Sequence, residues 1–139
     1  MVVINIIQSN DNFNRYKMEK LESKNEVNKT YLVNLDKVSR NLKTRDIYIV
    51  KNYEYQLGTR TSYDKKRHQY YLCGLYNNDK LMVLLNDFIK KYLICKVCNL
   101  PEITFIVEAE LYFKCSACGI KTKSYDCKLS KYIIKNSTD

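Results

Sequence analysis

Apolar residues recur along this chain in two periods, and the periods divide it into elements. Thr30-Tyr-Leu-Val-Asn34 reads as a strand. From Asp36 to Leu42, Val38 and Leu42 share one face of a short helix, with Asn34 placed to cap it. The stretch Ile47–Gly58 is mixed in pattern and accommodates another short helix. Thr61–Asp64 and Gln69–Cys73 read as the arms of a hairpin, turned by Lys65-Lys-Arg-His68. Asn77 or Asn78 can cap the longest helix, which runs to about Tyr92. It carries Leu81, Leu84, Leu85, Phe88 and Tyr92 as an apolar stripe, with Met82 and Ile89 alongside. Thr104–Val107 and Leu111–Lys114 follow as strands, and Lys131–Lys135 as a last strand or short extension. Three glycines (58, 74, 119) and one proline (101) exclude long flexible linkers. The pattern predicts an α+β fold. Residues 1–12 form a mobile polar tail and residues 13–92 a small antiparallel sheet with helices. The last of these helices leads into a C-terminal subdomain over 93–139.

That subdomain carries the strongest chemical signal. Cys95-Lys-Val-Cys98 and Cys115-Ser-Ala-Cys118 are two CxxC pairs with 16 residues between them. This is the spacing of a four-thiolate zinc ribbon. Each CxxC turn aims two sulfurs at one point, and a hairpin between the turns brings the pairs together. Four soft thiolates close a tetrahedron around one Zn²⁺ and leave no position for a substrate, so the ion is structural. Two disulfides or a dithiol redox site are the competing readings. A ribbon of about 40 residues cannot hold itself by burial alone, and bound zinc would contribute roughly 10–16 kcal/mol of apparent free energy. Cys73 and Cys127 fall outside the pattern and read as free thiols, Cys73 within a strand.

Composition narrows the setting. With 139 residues and 45% hydrophobic side chains, Tyr (13) far outnumbering Phe (4) and Trp absent, the chain can build one domain or a domain with a satellite. Met1-Val-Val-Ile-Asn-Ile-Ile7 lacks a basic leader and a cleavage site, and no apolar run approaches a membrane span. A reduced, cytoplasmic protein without membrane attachment is expected, acting as a monomer. The formal charge is +9, from 24 Lys and Arg against 15 Asp and Glu. Such a balance favours a polyanionic partner, RNA being the simplest. Solubility charge in a Lys-, Asn-, Ile- and Tyr-rich sequence is the bland alternative. The turn Lys65-Lys-Arg-His68 presents three cations and the single histidine at one tip, which could enter a phosphate-lined groove. GxSxG, HExxH and Walker patterns are absent, so an independent catalytic site is not expected. Arg15, within Phe13-Asn-Arg-Tyr-Lys-Met18, reads by itself as a surface arginine.

Taken together, several segments resemble one family. They are Phe13–Met18, Lys29-Thr-Tyr-Leu-Val-Asn34, Lys51-Asn-Tyr-Glu-Tyr-Gln-Leu-Gly58 and Asp87-Phe-Ile-Lys-Lys-Tyr-Leu-Ile-Cys-Lys-Val-Cys98 with Leu100-Pro-Glu102. Cys115-Ser-Ala-Cys-Gly119 and Lys128-Leu-Ser-Lys-Tyr-Ile-Ile-Lys-Asn136 complete the set. In this order they resemble the amino-terminal domain of eukaryotic translation initiation factor 5. The beta subunit of initiation factor 2 is the close relative. The Phe13–Met18 box and the tail after the last knuckle favour factor 5.

The resemblance implies a function. Factor 5 stimulates GTP hydrolysis by initiation factor 2 on the small ribosomal subunit, with initiator tRNA and the mRNA start codon in place. GTP is held by the partner GTPase, not by this chain. By resemblance Arg15 acts as an arginine finger, with Lys29 and Lys51 supporting it. A guanidinium supplied in trans is worth roughly 10³–10⁵ in rate. Two basic loops face rRNA, tRNA and start codon. Ser23–Lys29, which contains Lys24, matches the first, and Lys65, Lys66, Arg67 and His68 match the second. The first loop is shorter than is typical and has no glycine. The family's carboxy-terminal helical-repeat domain, which recruits the beta subunit, has no counterpart in these residues. If they act without it, affinity must come from the basic domain and be salt-sensitive. The alternative is a non-activating module that binds the ribosome or the GTPase gamma subunit, as a beta subunit does.

Overall fold

The computed structural model describes residues 3–5 and 17–136. Among them the fold is α+β, built from small antiparallel sheets and four α-helices. The chain divides between Asp87 and Phe88 into two compact units.

In the first unit, β1 (Val3–Asn5) pairs antiparallel with β2 (Lys17–Glu19). β1 lies inside the segment expected to be a mobile tail; the rest of that segment is outside the described residues. The main sheet contains β3 (Ser23–Glu26), β4 (Lys29–Leu32), β5 (Thr61–Asp64) and β6 (Gln69–Cys73) in the order β3-β4-β6-β5. Strand alternation sorts its faces. Thr30, Leu32 and Leu72 are buried on one side. Lys24, Glu26, Lys29, Tyr31 and Tyr71 stand on the other, as the pairs Lys24↔Tyr31, Glu26↔Lys29 and Tyr31↔Tyr71 require.

Three helices accompany this sheet: α1 (Leu35–Leu42), α2 (Asp46–Leu57) and α3 (Asn78–Phe88). α1 buries Leu35, Val38 and Leu42 on one stripe. α2 buries Ile49, Val50 and Tyr53, and Gly58 at φ 63° stops it in the left-handed conformation that glycine adopts without strain. The Tyr53 hydroxyl donates to the Leu81 carbonyl at 2.8 Å, which ties α2 to α3. Leu72, Leu81, Leu85 and Ile49 are wholly buried, and each contributes about 1.5–3 kcal/mol through removal from water.

Asn34 precedes α1 as expected, yet its side chain makes no cap. Its Oδ1 accepts from the Glu22 amide at 2.8 Å, and its Nδ2 donates to the Lys20 carbonyl at 2.9 Å. It braces the backbone leading into β3. At α3 the work is divided. Asn77 Oδ1 caps the helix by accepting from the Lys80 amide at 2.8 Å, while Asn78 Nδ2 donates to the Leu21 carbonyl at 3.0 Å.

In the second unit a π-helical turn, Ile89–Leu93, follows Phe88. A three-stranded sheet comes next, with β7 (Ile103–Val107), β8 (Leu111–Cys115) and β9 (Lys121–Lys123) in order. The core is aromatic. Tyr92 stacks on Phe88 at 5.3 Å and meets Phe113 edge-on at 5.5 Å.

The last element corrects the expectation of a strand or extension at Lys131–Lys135: it is a helix, α4 (Lys128–Asn136). Leu129 and Ile133, four apart, share its buried face with Ser130, while Lys128, Lys131 and Lys135 face solvent. Helical packing of Leu129 and Ile133 outweighs the strand preference of the adjacent β-branched Ile133-Ile134 pair.

Candidate functional site

Cys95 follows the π turn, and Cys115 closes β8, paired with Ile103 of β7. The two knuckles repeat one hydrogen-bond pattern. In the first, the Cys95 amide donates to Leu100 O at 2.9 Å and the Asn99 amide to Cys95 O at 2.8 Å. In the second, the Cys115 amide donates to Ile120 O and the Gly119 amide to Cys115 O, both at 2.9 Å. Each turn needs a left-handed residue after its second cysteine, supplied by Asn99 (φ 60°) and Gly119 (φ 82°).

The ligating sulfurs of Cys95, Cys98, Cys115 and Cys118 all lie within 4.8 Å of one another. Cys95 and Cys118 are 3.7 Å apart, and Cys98 and Cys115 3.5 Å apart. A tetrahedral ion with bonds of about 2.3 Å to sulfur requires edges of about 3.8 Å, so the set fits a metal ion. The amides of Val97 and Cys118 point at Cys95 Sγ and Cys115 Sγ, from 3.4 and 3.5 Å. Amides so placed stabilise thiolate charge. Burial opposes ionisation of Cys95, but the backbone amides of Cys98 and Val97 and the neighbouring thiols bring it down to about 7. At Cys98 the Leu100 amide favours the thiolate, but burial and hydrogen bonds with the other cysteines outweigh it and push the thiol up to about 12. One thiolate forming first holds protons on its neighbours, which a metal ion would displace.

Cys73 and Cys127 are not members of this cluster. Cys73 ends β6 and is exposed. Cys127 Sγ lies 2.9 Å from the Tyr92 hydroxyl.

The basic segments lie in the first unit. The expected first loop, Ser23–Lys29, is a tight hairpin: β3 and β4 joined through Val27 (φ 39°) and Asn28 (φ 61°). Two left-handed residues match the twist of paired strands. Lys24 is exposed on β3, 3.7 Å from Glu26. Lys65, Lys66, Arg67 and His68 form the exposed turn between β5 and β6. Asp64 shapes that turn, with its Oδ1 accepting from the amides of Lys66 (3.0 Å) and Arg67 (3.2 Å). Those bonds, the Arg67 amide foremost, hold the Asp64 carboxyl below its usual range despite some desolvation.

Arg67 is exposed like its neighbours in the turn, yet its guanidinium is held by partners. Its guanidinium grips Glu26 with two nitrogens, at 2.5 and 3.0 Å, and lies 4.3 Å from the centre of the Tyr31 ring. This bond lowers the Glu26 carboxyl, against a smaller effect of desolvation. Glu26 and Tyr31 were not foreseen as parts of the basic surface. The strand pattern placed Tyr31 but could not aim Arg67 at it.

Lys29 and Lys51 are held by different partners. Lys29 lies over the Tyr71 ring at 4.6 Å, on the same sheet face as Tyr31. Lys51, on α2, pairs with Glu54 at 3.2 Å. Arg15 lies outside the described residues.

A family model, that of the domain found in initiation factors 2B and 5, matches residues 7–121. The chain is also similar to curated proteins named eukaryotic translation initiation factor 5. It is 36% identical to the one from Caenorhabditis elegans, covering 91% of this chain and 30% of that protein. Identity to the Saccharomyces cerevisiae protein is 35%, covering 98% and 36%. For the Mus musculus protein it is 33%, covering 96% and 33%. The chain thus spans about a third of the length of the curated relatives it matches.

Proposed function

This chain belongs to the family that carries the domain found in initiation factors 2B and 5, and from that premise we propose that it serves translation initiation as a factor 5-like GTPase activator. It stimulates GTP hydrolysis by initiation factor 2 on the small ribosomal subunit as the start codon is selected. The observation that carries this reading is the continuous family match over residues 7–121, which crosses both units and includes position 15.

In the proposed mechanism the GTP belongs to the gamma subunit of initiation factor 2, and this chain contributes no catalytic site of its own. Arg15 enters that site in trans and stabilises charge developing on the γ-phosphoryl oxygens, an effect worth roughly 10³–10⁵ in rate. Lys29 and Lys51 add positive potential. The salt bridge between Lys51 and Glu54 sets a condition on that role, since Lys51 must turn from Glu54 to face another protein. Exposed Lys24, Lys65, Lys66 and His68 meet phosphates of rRNA, initiator tRNA or mRNA around the start codon. The beta subunit is a further protein partner. The protein works as a monomer in the cytoplasm.

Zinc is the ion proposed for Cys95, Cys98, Cys115 and Cys118. It supplies structural closure, because four thiolates leave no open coordination position. The knuckle amides then neutralise part of the thiolate charge and hold the turns in register.

The test is single-turnover GTP hydrolysis on assembled small-subunit complexes. Arg15→Ala is expected to bind the complex normally and to lose stimulation. A variant that stimulates like the wild type overturns the activator reading. In that case a stoichiometric complex with the gamma subunit, unaffected by the substitution, would favour a beta-like binding module.

A further inference from the structure

Arg67 is the cation in the basic turn with the most elaborate surroundings, and they constrain what it can bind. A guanidinium recognises phosphate through its edge, by parallel N–H bonds. Here two of its nitrogens already serve the Glu26 carboxylate, at 2.5 and 3.0 Å, and Nε lies 3.9 Å from Asp64. The Glu26 clasp occupies one edge of the guanidinium and leaves its other N–H groups and its plane to a ligand. The Arg67 Cζ lies over the Tyr31 ring, 4.3 Å from the centre, and Tyr31 is itself buried at 5% exposure. The Arg67 side chain nonetheless keeps 42% of its surface exposed.

The plane is fixed at three points that belong to different strands: Tyr31 on β4, Glu26 on β3, and the β5–β6 turn that carries Arg67 itself. Its orientation is therefore set before any ligand arrives, which removes the rotamer cost of ordering a long side chain. Cations surround it. Lys24 and Lys29 stand on the same sheet face, and Lys65 and Lys66 precede it in the turn. Unpaired RNA bases stack on arginine planes as they do on aromatic rings, while neighbouring lysines follow the phosphates.

We propose that the Tyr31–Arg67–Glu26 stack is a preformed platform for one unpaired RNA base. Lys24, Lys65 and Lys66 take the flanking phosphates. Arg67 thus offers its plane to the base. This deepens the proposed RNA contact of the basic turn and rests on that reading.

The experiment uses two short oligoribonucleotides, a uridine hexamer and the same backbone with abasic sites, measured across a salt series. The wild-type chain should prefer the base-bearing oligomer. Arg67→Lys keeps the charge and removes the plane, so it should weaken uridine-hexamer binding on the order of 5- to 150-fold, the worth of one stacked base. Binding of the abasic strand should stay unchanged. Lys65→Ala with Lys66→Ala should weaken both oligomers and flatten the salt slope by about 0.7 per lost phosphate contact. In the wild type, where no substitution can disturb folding, the Arg67 Nε–H resonance should move upfield with the base-bearing strand alone. Equal loss on both strands in Arg67→Lys, or no upfield movement, overturns the platform and leaves the RNA reading standing. A wild-type chain that binds neither oligomer overturns the RNA reading itself.

Discussion

Replacing Asn34 separates two roles that one asparagine can play at a helix start. If it capped α1, Ser would serve as well as Asn, since both rank among the best N-caps. In the structure its side chain faces the other way. It accepts from the Glu22 amide at 2.8 Å and donates to the Lys20 carbonyl at 2.9 Å, at 9% exposure. Serine is too short to reach either group. Each backbone partner left unmet costs about 1–3 kcal/mol when buried, and these are part-buried, so the lower end applies. Asn34→Ser and Asn34→Ala should each destabilise the first unit by about 2–3 kcal/mol. Asn34→Asp keeps the acceptor for Glu22 but sets a carboxylate oxygen against the Lys20 carbonyl and near the Glu19 carboxylate, so it should cost at least as much as Asn34→Ser. With a urea m-value of about 1–3 kcal/mol per molar, the unfolding midpoint of Asn34→Ser should fall by roughly 1 M or more. Hydrogen exchange at the Glu22 amide should accelerate in step. A serine variant within about 0.5 kcal/mol of the wild type would refute the brace and restore the cap.

Three further outcomes concern the metal and pH. Removing the ion with a chelator should melt β7–β9 while the first unit keeps its far-UV signal and its protected amides; melting of both units together would contradict this. Because Cys98 and Cys118 bind protons more tightly than ordinary thiols, metal uptake should release protons and weaken in acid, which titration in two buffers can count. The Arg67–Glu26 bond lowers the folded pKa of Glu26 below its ordinary 4.5. Its stabilisation is therefore present above about pH 4.5 and is lost as pH falls through the lower folded value. The Tyr31 ring resonances should report that loss, and Glu26→Gln should abolish it; an unchanged acid transition in the variant would assign the effect elsewhere.

Legibility in the sequence followed the range of the interactions. Thr61–Asp64 and Gln69–Cys73 were readable to the residue, because alternation and a four-residue charged turn are local facts. The cysteines were readable from spacing, which encodes two similar turns. β3 was not, since Ser23-Lys-Asn-Glu26 has no apolar alternation and Val27-Asn28 lacks the glycine that marks such turns. β9, Lys121–Lys123, is exposed throughout and carries no hydrophobic pattern. α4 replaces the expected strand or extension because Leu129 and Ile133, four apart, pack on one face, which no local pattern within Lys131–Lys135 reveals. The clasp between Glu26 and Arg67 joins residues 41 apart, and no periodicity reports such a pairing.

The β3–β4 hairpin has a bearing on how this fold can vary. Val27 is β-branched, sits at φ 39° and leaves 90% of its surface to water, so its backbone strain is uncompensated by packing. The strands beneath it take their register from elsewhere: from β4 against β6, and from the Gly74 amide donating to Asn28 O at 2.7 Å. The tip is thereby tied to the sheet at Asn28 and not at Val27. Changes at Val27 that keep the Asn28 carbonyl on Gly74 should therefore retune what the finger touches without disturbing the strands that carry it.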